Sequence, residues 1–194
     1  MISVILPLIS TSGIVWIVIG AIVVILVLWV ISVQNKLVQQ DEFCNNSLKQ
    51  ISVQQTTRYD ALLTNIRLAR EYAKYEGDAF EKIIAQRGIT TSPNPTVAEI
   101  NSNEQVLRQM SAGLYAVSER YPELKANEGF QKTRETYNKY EEMVRLSRMT
   151  FNDTVTKFNN QVRMFPGSVI ASMLGFSRRD YLADNPEKAD IPDF

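Results

Sequence analysis

The chain has no histidine and one cysteine among its 194 residues. The first absence removes the commonest general base and metal ligand, and the second excludes an intramolecular disulfide or a cysteine-rich zinc cluster. Charge is also missing from one stretch: none of the 21 basic and 21 acidic side chains precedes Lys36. The mean hydropathy of −0.15 and zero net charge are therefore averages over two segments suited to different solvents. No phosphate-binding glycine loop, dinucleotide fingerprint or metal-ligand spacing occurs. The expectation is a protein without catalysis, cofactor or small-molecule substrate.

What the uncharged stretch does contain is a run of 21 residues, Gly13 to Val33, whose only non-apolar members are Gly13, Gly20 and Ser32. At about 1.5 Å per residue that is roughly 31 Å of helix, the thickness of a hydrocarbon core. A secretory leader would carry a basic start and a shorter apolar run, so an uncleaved anchor over 13–33 fits better. Trp16, Gly20 and Trp29 are its marker residues, the two indoles standing near the ends where the ring is apolar and the N–H hydrated. Pro7 makes residues 1–12 a short interfacial extension rather than a second span. Lys36 and Lys49, with no basic residue before the span, favour a cytoplasmic C-terminal domain.

Beyond Lys36 apolar residues recur every three or four positions, which predicts helices. The steps Leu48, Ser52, Gln55, Tyr59, Leu62, Ile66, Ala69, Ala73, Glu76, Phe80 and Ile83 place one long helix over 36–87, ending before Gly88. Thr96 and Glu99 have capping-box spacing for a second helix over 97–120, which Tyr121-Pro122 stops. Asn127 can cap a third over 128–165. Here Phe130, Tyr137, Val144, Phe151, Phe158 and Phe165 stand seven apart, the spacing of a left-handed helix seam. Pro166 can open a fourth helix over 166–174, and residues 177–194 form a tail tucked back by Tyr181 and Phe194. The class is all-α: one transmembrane helix, then an elongated antiparallel bundle over 34–176 with coiled-coil-like packing.

The single N-terminal span, NNSLKQISVQQTTRYDALLTNI, YPELKAN, Phe130, Arg148, Phe151-Asn152, Phe158-Asn159 and Phe165-Pro166 together resemble the LemA family. The resemblance covers most of the chain from about Asn35, and it implies a bacterial membrane protein with one span and a helical bundle. Thr64 departs from it, standing where the family usually has a proline. The family carries no agreed catalytic residues, so none are transferred. The nearest matching polar set is Arg58, Asn65, Arg148, Asn152 and Asn159, with Tyr59, which a bundle could gather into one network.

Charge within the helical part is flat, eight basic against seven acidic over 36–88 and ten against nine over 89–177. That excludes the basic footprint of a nucleic-acid binder. The functional expectation is a scaffold anchored in the bacterial inner membrane, with the lipid bilayer and copies of itself as partners. A monomeric adaptor to another membrane protein, such as a protease, transporter or envelope-stress component, is the alternative.

Overall fold

A computed structural model of the chain describes residues 11–72 and 88–183. The expected end of the first helix, with Ala73, Glu76, Phe80 and Ile83, lies outside those residues, as do residues 1–10 and Phe194. All regular structure among the described residues is helical: α1 Thr11–Tyr72, α2 Val97–Ser118, α3 Pro122–Ala126, α4 Glu128–Arg163 and α5 Gly167–Leu174. They fall into two compact units, one drawn from Met1–Asp41 with Phe158–Arg178 and the other from Glu42–Lys157 with Arg179–Phe194.

In the larger unit the core is built where helical spacing brings apolar side chains to one face. Ala61, Leu62, Ile66 and Ala69 of α1 meet Leu107, Met110, Leu114 and Val117 of α2, with Leu124 of α3 and Phe130 and Tyr137 of α4. As α1 ascends from Arg58 to Asn65, its partners on α4 descend from Tyr137 to Phe130. Likewise Asn101 and Tyr115 of α2 bond to Arg148 and Asn138 of α4. Helix α4 is thus antiparallel to both neighbours, which leaves α1 and α2 running in the same sense.

The helix starts follow local chemistry. Thr96 accepts the Glu99 amide at 3.1 Å, as an N-cap threonine should. The glutamate does not return to the cap amide; its carboxylate takes the Ser92 amide and hydroxyl, at 3.0 and 2.9 Å. Asn127 accepts the Phe130 amide at 2.9 Å and so starts α4. Pro122 does more than stop α2, since it stands at the first position of the five-residue α3, where a missing N–H costs nothing.

In the smaller unit Leu37, Phe158, Ile170 and Ala171 are buried, and Phe158 meets Phe176 edge-on with centroids 6.2 Å apart. Pro166, expected to open α5 as its first residue, is instead its N-cap, following a cis Phe165–Pro166 bond. Gly175 closes α5 at φ 77°, giving its N–H to the carbonyls of Ala171 and Ser172. A side chain there would be strained.

Candidate functional site

The most deeply buried row of α1 is Ile51, Gln55, Arg58, Leu62, Asn65 and Ala69, each no more than 1% exposed. Steps of four and three keep them on one face. The row expected from the spacing shares Gln55, Leu62 and Ala69 with it, and Leu48, Ser52 and Ile66 of that row are buried as well. Tyr59, expected at its centre, is half-buried, and Arg58 takes that place. An apolar count steers away from a row in which three of six members are polar.

Arg58 is the largest fully buried side chain among the described residues, and burying a lone guanidinium is prohibitive unless it is paired and hydrogen-bonded. Its Nη1 donates to Glu104 Oε2 at 2.8 Å, and Nη2 donates to the Tyr137 hydroxyl at 3.0 Å. The guanidinium carbon stands 5.0 Å from the centre of the Tyr137 ring, within cation–π range. Glu141 Oε1 lies 3.5 Å from Nη2, while Nε has no partner. Glu104 is held from three sides, since Oε2 also accepts from Gln55 Nε2 at 3.2 Å and Oε1 from Arg108 Nε at 3.3 Å. Gln55 Nε2 in turn reaches the Ile100 carbonyl at 3.0 Å. One ionic cluster therefore ties α1, α2 and α4 together.

Both charges persist because each answers the other. Burial alone pulls the Arg58 pKa down, but Glu104, Tyr137 and Glu141 more than reverse this and leave it raised. Burial alone pushes the Glu104 carboxyl up, but Arg58, with the Gln55 hydrogen bond and Arg108, holds it below its ordinary value. Arg58 Nε and Gln55 Oε1 are buried without a partner, while the hydrogen bonds among Gln55, Arg58, Ile100, Glu104, Arg108 and Tyr137 run between the three helices or within one of them, which suits the cluster to locking helices.

The five polar residues expected to form one network are distributed over separate places. Asn65, with its amide assigned so that both atoms are satisfied, donates to the Phe130 carbonyl at 3.2 Å and accepts from the Arg134 amide at 3.3 Å. Arg148 donates to Asn101 Oδ1 at 3.1 Å and to the Ala183 carbonyl at 2.6 Å. Asn152 donates to the Leu182 carbonyl at 3.1 Å and accepts its amide at 2.9 Å. Asn159 is buried in the smaller unit. The reason is reach: the α4 positions that the four in the larger unit meet or occupy run from Phe130 to Asn152, about six helical turns, and Asn65, Arg148 and Asn152 each bond a backbone group nearby. Asn103 does the same, taking the Thr90 amide at 2.9 Å and giving to its carbonyl at 2.7 Å. In the described tail Leu182 is buried at 2% exposure, and Tyr181, 49% exposed, accepts from the Thr156 hydroxyl at 3.4 Å.

Along the seven-residue stripe Phe130, Tyr137, Val144, Phe151 and Phe158 are all buried. Phe165 is not: at 84% exposure it falls outside the packing set. Helix α4 ends at Arg163, so the periodicity that would orient Phe165 has already stopped. Trp16 and Trp29 are exposed, and a Cβ on Gly20 would meet no neighbouring atom within 4 Å. Helix α1 is long and apolar enough to cross a membrane, with none of its apolar stretch buried. Glu104 and Glu141 carry no signal in the sequence, and Gln55 stands out only by its place in the helical repeat. No group of three or more potential metal ligands occurs among the described residues.

Residues 47–193 match the LemA family model. No curated protein matches the chain.

Proposed function

The chain belongs to the LemA family, and on that premise we propose that it is a membrane-anchored helical scaffold, presenting its bundle to copies of itself or to other proteins at the membrane. The observation that carries this reading is the composition of α1, a single helix with an unburied, uncharged apolar stretch at one end and a row locked into a helical core at the other. An apolar surface of that extent needs cover, and its length suits a bilayer. The reading places the span in the inner membrane of a bacterium, with Lys36 and Lys49 drawing the bundle to the cytoplasmic side. A surface that packs against copies has support on α4, where Leu146 and Met149, 50% and 56% exposed, face away from the buried stripe.

Crosslinking in native membranes followed by mass spectrometry tests it. A ladder of self-adducts is the expected result. Adducts to one foreign membrane protein alone would replace the self-assembling scaffold with an adaptor, and light scattering that finds only monomer in detergent would remove self-association.

A further inference from the structure

The smaller unit carries an apolar surface that its own core leaves uncovered. Phe165 and Met173 are 84% and 82% exposed, and Met164, Val169 and Leu174 beside them are also exposed. Five large apolar side chains within eleven residues are a patch rather than scattered exposure. All of them but Met164 border a groove of about 330 Å³ whose other wall is Trp29 and Val30 of α1. That wall belongs to the last turns of the apolar stretch, just before Gln34 and Lys36, so the groove sits where hydrocarbon would give way to headgroups. The four steps from Trp29 to Val33 span about 6 Å of helix, close to the 5–10 Å depth at which interfacial helices lie. Charge agrees with the place. Between Phe158 and Arg178 the only charged residues are Arg163 and Arg178, both exposed and both basic, which suits anionic headgroups.

We propose that α5 and the Met164–Phe165 turn before it form a second membrane contact, a short interfacial foot inserted at the glycerol level of the bilayer that α1 spans. Phe165, Val169 and Met173 enter the acyl boundary, and Arg163 and Arg178 meet the phosphates. The proposal rests on the anchor reading of α1 and adds a contact which that reading does not require. A foot of this kind limits rotation of the helix pair about the span, which a lone anchor leaves free.

The test uses the full-length chain in vesicles of mixed zwitterionic and anionic phospholipid. A fluorophore is attached at Phe165→Cys, at Met173→Cys and, as anchor control, at Leu26→Cys; the unsubstituted chain, whose one thiol at Cys44 is buried, is the labelling blank. Circular dichroism checks that each variant folds, and the two foot positions are exposed enough to accept the change. Lipids with a nitroxide high or low on the acyl chain then quench by depth. The expected result is that the Leu26 label loses most emission to the deep nitroxide and the Phe165 and Met173 labels lose most to the shallow one. A quenched Leu26 label with both foot labels unquenched overturns the foot and leaves the anchor standing. Foot labels shielded from water but unquenched by either lipid place the patch against protein and also overturn it. An unquenched Leu26 label removes the anchor and the foot with it.

Discussion

Replacing Glu104 by glutamine keeps the shape of the side chain and removes its charge, leaving Arg58 buried without its nearest counter-ion. Breaking a buried ion pair from one side costs about 3–5 kcal/mol, because the remaining charge is uncompensated. Here the lower end applies. Glu141 lies 3.5 Å from the same guanidinium and can recover part of the loss, but its side chain is 51% exposed and its field is weakened by water. The expected loss for Glu104→Gln is therefore about 3 kcal/mol. Urea titration in mild detergent, followed by far-ultraviolet circular dichroism, reads this as a lower midpoint at unchanged slope. The double variant Arg58→Met/Glu104→Leu removes both charges and should recover at least half of the loss, since an apolar replacement of similar volume carries no desolvation penalty. A Glu104→Gln loss under about 1 kcal/mol, or a double variant as unstable as the single one, would refute the view that Arg58 depends on Glu104.

Glu104 also sets an acid limb. Its folded pKa is depressed, so its contribution is complete above the unfolded glutamate value of about 4.3 and is lost as pH falls through the folded value; Glu104→Gln should flatten that limb in acid denaturation. Phe158→Ala should cost about 3–5 kcal/mol and Phe165→Ala within about 0.5 kcal/mol, by the same titration, because only the first is packed. Asn152→Ala removes both hydrogen bonds to Leu182 and should speed tryptic cleavage after Arg178 and Arg179 by roughly 5–30-fold, the equivalent of about 1–2 kcal/mol of local opening. Glu141→Gln should cost under about 1 kcal/mol, and Glu141→Arg clearly more, since it sets a second guanidinium facing Arg58.

Features that depend on a few neighbouring residues were legible in the sequence. The threonine at 96, the asparagine at 127 and the glycine at 175 each act on groups within five positions of themselves. The apolar stretch was legible for a similar reason, because every residue in it says the same thing. What escaped were contacts that local spacing does not encode. Glu99 has capping-box spacing, but the folded-back loop offers it Ser92 instead. Arg58 and Glu104 are 46 positions apart, and on its own each looks like a solvated surface charge. Phe165 erred in the other direction, since a heptad repeat carries no mark of where its helix stops.

The polar cluster explains something the apolar stripe leaves open. Stripe residues seven apart are all apolar or aromatic, so sliding α4 by one heptad along α1 would set such side chains against the same apolar face again. The cluster does not survive that slip. Of the five buried stripe positions only Tyr137 has a hydroxyl, so Arg58 would face Phe130 or Val144 and lose an acceptor. Glu141 would be replaced by the residue seven before or after it, and these are Arg134 and Arg148. Either slip brings a second guanidinium to a buried one, where low dielectric makes like charges most costly. The observed register is the one alignment of the three in which Arg58 meets both a hydroxyl and a carboxylate on α4. Apolar burial brings the helices together, and the charge pattern selects among the alignments that burial leaves nearly equal.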